Sequence, residues 1–293
     1  MGATPSITAR LCDAWESGLL DSFSVFGDCD HPQVISARLA TRPDRPARIS
    51  VHLNLGEGRP ITPTPRVARL VDRAGFFNAE FVGMLSRHLT RSTTRERIVL
   101  LSEVEREWRA QIENVIGMID PRPLSALDGH IHVHMVPFLF RLAVKLASEY
   151  HIPEIRNVRE PFYVSRKVSE CWSKRFAVNC VKRGVLIALS ARNAESSSAA
   201  GRTSPDRLLG VLYSGMMSRA NIAAGLAAAR RQGARRIEVL VHIGRANRSE
   251  LGRWNGSSSR ASFVLSSSRD AEFEELKRLR SPRPLDERRR RIA

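Results

Sequence analysis

Apolar and polar positions alternate along this chain in a way that separates short strands from longer helices. Thr4-Pro5 opens a helix, with Thr4 as N-cap and Pro5 at the first helical position, and Leu11, Ala14 and Trp15 carry it to a stop at Gly18. Ser22 to Phe26 reads as a strand ended by Gly27-Asp28-Cys29-Asp30, and His31 to Ala40 as a second helix. Arg48 to Leu55 alternates as a strand closed by Gly56-Glu57-Gly58, after which an insertion-like region extends to about Arg97. Ser102-Glu103-Val104-Glu105 has the form of a capping box, and the helix it opens carries Val104, Trp108, Ile112, Val115 and Ile119 on one face. Asp128 to His134 alternates as a strand and is followed by a helical pattern from Val136 to Tyr150 and a short strand near Ile155. Ser190 to Pro205, rich in Ser, Ala and Gly, reads as a mobile loop. Leu208 to Tyr213 is strand or turn, an Ala-rich helix runs to Gly233, Arg236 to His242 is a buried strand, Gly252 to Ser259 is loop, and Ser268 to Arg280 is a final helix. Strands that alternate with helices predict an α/β fold with a parallel sheet, closed as a barrel or open.

The segment Asp128-Gly129-His130-Ile131-His132-Val133-His134 carries the most chemistry. On a strand, alternate side chains share a face, so Asp128, His130, His132 and His134 would lie together, with Ile131 and Val133 opposite. A carboxylate beside three imidazoles suits a divalent metal and proton transfer at neutral pH. His52 and His242 end two other strands, and parallel α/β folds bind their ligands at the carboxyl ends of the strands.

Composition narrows the class. The 293 residues include 42% hydrophobic side chains, enough for a sizeable core. The net charge of +17 predicts non-specific attraction to anionic surfaces. Its densest run, Arg288 to Arg291, lies in a basic tail from 281 to 293 that lacks the interleaved aromatics of a single-strand-binding platform, so no specific nucleic acid is expected. No stretch has the length and apolarity of a membrane span, and the amino-terminal residues carry no secretory signal pattern. Cys12, Cys29, Cys171 and Cys180 lack zinc-type spacing, consistent with a reduced, cytoplasmic protein with unpaired thiols.

With these pieces in order, the chain resembles the YdjC-like carbohydrate deacetylases, a group that includes chitooligosaccharide and hopanoid-biosynthesis deacetylases. The matching segments are Val51-His52-Leu53-Asn54-Leu55, Glu107-Trp108-Arg109-Ala110-Gln111, Leu127 to His134, Pro205 to Gly210 with Ser214-Gly215, and Glu238-Val239-Leu240-Val241-His242. The resemblance implies a single distorted (β/α) barrel over residues 1–280 and a metal-dependent hydrolase that removes N-acetyl groups from acetamido sugars. It implies a divalent metal, Mg or Zn, with His52 and His130 as ligands. His242 would be a catalytic acid at the leaving amine, and Asp128, His132 and His134 supporting groups. Trp254, in a Gly/Ser loop after His242, is a candidate sugar-stacking platform, whereas Trp108 belongs to an apolar helix face.

The chain also departs from that family. The family opens with a strand ending in an alanine-aspartate-aspartate-phenylalanine-glycine motif that supplies a metal ligand and the presumed base. Gly2 to Ile7 matches the segment just after it. The first barrel strand and both aspartates are therefore expected to be absent, either because the protein is longer or because this member has lost them. Asp28 and Asp30, at the end of the second strand, could lend a carboxylate, although turn-forming and solvated Asp is the usual reading. Ile243 follows His242 where the family has proline. An incomplete barrel would leave strand edges open to pairing with another chain, such as a homodimer. Three readings follow: a deacetylase active only if a carboxylate completes its metal site, a non-catalytic carbohydrate-binding pseudo-enzyme, and a basic nucleic-acid-binding protein.

Overall fold

Alternating side chains build the sheet with its apolar face turned to the helices and its polar face turned inward. The structure, a computed structural model, describes residues 1–90, 93–165, 173–254 and 258–280. Cys171, Trp172 and the run Arg288 to Arg291 lie outside them. Strands β1 (Ser22–Phe26), β2 (Arg48–Leu53), β3 (Ala126–Gly129) and β4 (Glu154–Ile155) pair in parallel in that order, and β5 (Arg207–Leu209) pairs in parallel with β6 (Ile237–Val239). Ile49, Val51 and Leu53 of β2 are buried against the helical layer, while Ser50 and His52 are half-buried on the other face. Each fully buried aliphatic side chain of this size contributes about 1.5–3 kcal/mol of transfer free energy, so the apolar face fixes which way the polar residues point.

The helices are α1 (Pro5–Glu16), α2 (Pro32–Ala40), α3 (Phe81–Leu89), α4 (Thr94–Ile119), α5 (Pro137–Glu149), α6 (Lys174–Ala199), α7 (Arg219–Arg231), α8 (Ser258–Val264) and α9 (Ser268–Arg280). Thr4 caps α1 as expected, its hydroxyl accepting from the Ile7 N–H. Two expectations fail. First, α4 starts eight residues earlier than Ser102, at a capping box formed by Thr93 and Glu96. Ser102 instead sits inside the helix, where its hydroxyl donates to the Val99 carbonyl at 2.8 Å. The predicted face still packs, with Val104, Trp108, Ile112 and Val115 fully buried. Second, residues 190–199 are not a loop but the last turns of α6. Ser190, Asn193 and Ser197 are buried there, and Asn193 donates to the Met135 carbonyl at 2.8 Å. Tertiary packing overrides the weak helix preference of that composition.

The inner face carries an ionic network that ties the two sheets together. Arg156, just past β4, pairs with Asp128 of β3 at 2.5 Å and with Glu238 of β6. Arg236 pairs with Glu154 at 2.6 Å, and Arg48 reaches the same carboxylate at 2.8 Å. Beside β1, the Phe26 N–H donates to the Met1 carbonyl at 3.0 Å and the Met1 nitrogen donates to the Ser24 carbonyl. Met1 therefore occupies a parallel-ladder position opposite Val25. No helix among the described residues is long and apolar enough to cross a membrane.

Candidate functional site

Phe26, His52 and Asp128 occupy equivalent positions on β1, β2 and β3, so their side chains stand in a row on the inner face. The row explains the first contact: His52 Nδ1 lies 2.5 Å from Asp128 Oδ1. The other Asp128 oxygen accepts from the Ser24 hydroxyl and faces Arg156 Nη1, each at 2.5 Å. Burial alone would raise this carboxyl, but Arg156, His52 and Ser24 outweigh it and hold it well below the usual carboxylate range. Burial likewise depresses His52, with Asp128 opposing the shift.

The strand expected through Asp128 to His134 ends at Gly129. His130–Met135 is a 3-10 turn in which Ile131 (φ 45°) and His132 (φ 62°) are left-handed. A β-branched residue with positive φ is a true outlier, and such strain gathers at functional sites. The turn fans the histidines apart instead of stacking them on one face. His130 meets His52, with Nδ1 3.4 Å from His52 Nε2. His134 turns back so that its Nε2 donates to the Arg156 carbonyl at 2.8 Å. Gly129 permits this, because a Cβ there would stand 2.6 Å from His134 Nδ1. His132 is 6% exposed and lies within electrostatic reach of Lys182 on α6.

Glu57 completes the pair. Its Oε2 lies 3.0 Å from His130 Nε2, somewhat out of line for a hydrogen bond. His130, Arg253 and the Trp254 indole together overcome burial and keep Glu57 ionised well below the usual range. Trp254 donates to Glu57 at 2.8 Å and is only 4% exposed, so it braces a carboxylate rather than offering a face for stacking. Phe26 forms the wall beside both imidazoles, with ring centroids 4.7 Å from His52 and 5.2 Å from His130, and Arg253 lies over its other side at 4.5 Å.

The donor set suits a metal in one respect and falls short in another. Both outer imidazole nitrogens face carboxylates, which would leave the inner nitrogens, His52 Nε2 and His130 Nδ1, with free lone pairs. These two nitrogens stand 3.4 Å apart, close enough that both would hold one ion. Among the described residues, however, no third metal-binding side chain groups with this pair. The one such trio is Cys29, Asp30 and His31, away from it. Asp28 Oδ2 accepts from Arg253 at 2.7 Å and from Asn54 at 3.0 Å, its Oδ1 is buried without a partner among the described residues, and Asp30 is bonded to His31 at 2.6 Å. Neither expected substitute carboxylate joins the two histidines.

His242 follows β6. Its backbone N–H donates to Glu272 at 2.7 Å, its ring meets Phe263 edge-on, and its Nδ1 is buried without a partner among the described residues. Burial depresses it strongly, with Arg269, Lys182, His52 and His130 adding to the effect.

Comparison with known proteins matches residues 1–285 to the profile described as YdjC-like protein. The chain belongs to the YdjC-like family. Relatives include a protein named carbohydrate deacetylase from Danio rerio, 29% identical over 51% of this chain and 47% of that one. Another protein of that name, from Enterococcus faecalis, is 31% identical over 53% and 55%. A chitooligosaccharide deacetylase of Yersinia pestis is 27% identical over 49% and 51%. The matches span about half the length of these curated relatives. A crystal structure from Enterococcus faecalis V583, named for a proposed role in cellobiose-phosphate cleavage, superposes with a TM-score of 0.61 at 23% identity, over 94% of this chain and 91% of that one. That likeness supports the α/β parallel fold.

Reading the sequence alone missed Glu57, Phe26, Arg253 and Arg156. Glu57 carried a signal, being a carboxylate between two glycines just beyond a strand that bears a histidine.

Proposed function

We propose that the protein removes acetyl groups from acetamido sugars at the pocket formed by His52, His130 and His242. The observation that carries this reading is the facing pair of imidazoles, each backed by a carboxylate. It is the arrangement that holds a divalent ion, and the family's named members are carbohydrate deacetylases. His52 and His130 would hold such an ion, Mg or Zn, which would supply Lewis acidity toward an acyl carbonyl and toward water. Asp128 fixes the tautomer and tilt of His52, and Glu57 faces His130 with a negative charge at 3.0 Å. Phe26 and Arg253 close the wall beside them and limit access of bulk water. His242, neutral in its buried setting, would take the proton given up by the attacking water and pass it to the departing amine nitrogen.

One observation favours a second reading, a carbohydrate-binding protein without turnover. Two nitrogen ligands are one fewer than catalytic metal sites commonly provide. The two are separated by measuring acetate release from N-acetylated chito-oligosaccharides in the presence of Mg or Zn, for the protein and for His130→Ala and His242→Ala. The deacetylase reading expects turnover that both substitutions abolish. Sugar binding with no acetate release above the His130→Ala level supports the second reading.

A further inference from the structure

The chain leaves the second sheet at Leu240, whose N–H donates to the Leu209 carbonyl at 2.8 Å. Among the described residues, its next backbone bond comes at Ala246, whose N–H donates to the Val264 carbonyl at 3.0 Å. His242, Ile243 and Gly244 lie between these two bonds and take their partners from side chains of a single helix. Glu272 of α9 accepts from the His242 N–H at 2.7 Å. Arg269, three residues earlier and so on the same side of α9, donates from Nε to the Gly244 carbonyl at 2.5 Å and from Nη2 to the Ile243 carbonyl at 3.2 Å. Interior backbone groups need partners, and here a carboxylate and a guanidinium supply what a neighbouring strand would.

The hold extends beyond these three residues. The other Glu272 oxygen accepts from the Met217 N–H at 3.1 Å, so one carboxylate ties the stretch after β5 to the stretch after β6. Glu272 and Arg269 are both buried. The Arg269 guanidinium lies 5.3 Å from the ring centroid of Phe263 on α8, and the same ring meets the His242 imidazole edge-on, with centroids 5.4 Å apart. On the opposite side, Ile243 packs with Ala14 of α1 and Phe273 of α9. Gly244 (φ 80°) lies so close to α1 that a Cβ there would stand 2.8 Å from the Cβ of Arg10. His242 is therefore fixed through its backbone by α9 and through its ring by α8, while its buried Nδ1 has no partner among the described residues.

We propose that Glu272 and Arg269 are positioning residues, a clamp on α9 that sets where the His242 imidazole stands. Neither touches substrate; each acts through the backbone of residues 242–244. The consequence for catalysis rests on the deacetylase reading, in which His242 serves the departing amine. A group that transfers a proton must stand within about 2.6–3.2 Å of the atom it serves, and a segment without a strand ladder needs some other hold to stay there. Glu272→Met keeps the volume and removes both acceptors. Arg269→Lys keeps the charge, but a single ammonium cannot span two carbonyls as the guanidinium fork does.

The test is the rate at which diethyl pyrocarbonate modifies each histidine of the intact protein, read by mass spectrometry. It is run in alkaline buffer, where Glu272, raised by burial to about 7, is charged. Modification of His242 is expected to be at least about tenfold faster in Glu272→Met, because the segment that carries it opens locally. Arg269→Lys should show a smaller increase, and it decides the matter should Glu272→Met fail to fold. His134, fully buried elsewhere, should keep its native rate in both. Glu275→Met, which removes a similar bond from the same helix to the Arg219 N–H at 2.9 Å, should leave His242 unchanged. The proposal is overturned if His242 keeps its native rate in both clamp variants, or if His134 accelerates with it, which would mark general loosening. Acetate release gives the second readout: in Glu272→Met, kcat should fall at least about tenfold with KM held within about threefold. An unchanged kcat beside an accelerated His242 would also overturn the positioning role. A native protein that releases no acetate refutes the deacetylase reading instead, and the modification rates alone then decide the clamp.

Discussion

Replacing Asp128 by Asn isolates the charge at the centre of the site while keeping its shape. The carboxylate is fully buried and serves Ser24, His52 and Arg156 at once. Asn retains one acceptor but turns an NH2 toward groups that are themselves donors. Among the described residues, Arg156 keeps Glu238 as its counter-charge. Breaking a buried ion pair costs about 3–5 kcal/mol, and the surviving Glu238 contact argues for the lower end. Unfolding entropy of about 2.1 cal/mol/K per residue gives about 0.6 kcal/mol/K for 293 residues, so about 3 kcal/mol lowers Tm by about 5 °C. Thermal melts followed by circular dichroism, with reversibility checked, measure this. Arg156→Met and the double variant close a cycle whose coupling should exceed about 1 kcal/mol. The same substitution frees His52 to adopt the other tautomer and should weaken retention of Zn by about ten- to a hundredfold, measured by competition with a chelator. A Tm shift below about 1 °C, or additive single variants, would refute the view that Asp128 joins the sheets electrostatically.

Gly129→Ala should destabilise the protein by about 1–3 kcal/mol, because the new Cβ meets a buried His134 ring that has no room to retreat. Gly117→Ala on the exposed side of α4, with nothing within 4 Å of the added atom, should instead be neutral or stabilising by up to about 1 kcal/mol, and paired melts compare them. Acidification should lower Tm between pH 7 and about 5. His52, His132 and His242 are depressed in the fold, and His134 is lowered to about 4, so the unfolded chain binds more protons there and stability is lost as pH falls below the ordinary histidine range. Glu160 and Glu272, each raised to about 7 by burial, act oppositely: the folded state holds their protons, and that contribution is lost as pH rises through 7. His88 and the Met1 amine are also lowered and Asp28 and Glu107 also raised, so six groups oppose four, and a Tm that rises on acidification would show that the histidines are not held neutral.

Much of the fold was legible because its signals were local. The cap at Thr4, the alternation of Ser22 to Phe26 and the apolar face from Val104 to Ile119 each depend on neighbours in sequence, and each forms as read. The start of α4 was misplaced because two segments satisfy the capping-box pattern. The pattern cannot say that helix-forming residues before Ser102 already continue a helix from Thr93. The serine-rich end of α6 was misread because its polar residues are inward-facing anchors, a role composition assigns to loops.

The site was legible in its histidines and opaque in what holds them. Period-two spacing correctly drew attention to Asp128, His130, His132 and His134, yet it predicted one shared face. Two left-handed residues disperse that face, and no pattern of apolar and polar positions encodes a left-handed isoleucine. Each such residue costs about 1–3 kcal/mol, so the surrounding contacts must over-determine the turn. Two of them are identifiable: the close approach of His134 to Gly129, and its bond to the Arg156 carbonyl. Arg156 also grips Asp128, which orients His52. The geometry of the His52–His130 pair therefore depends on a residue two strands away, one that sequence reading had no reason to single out.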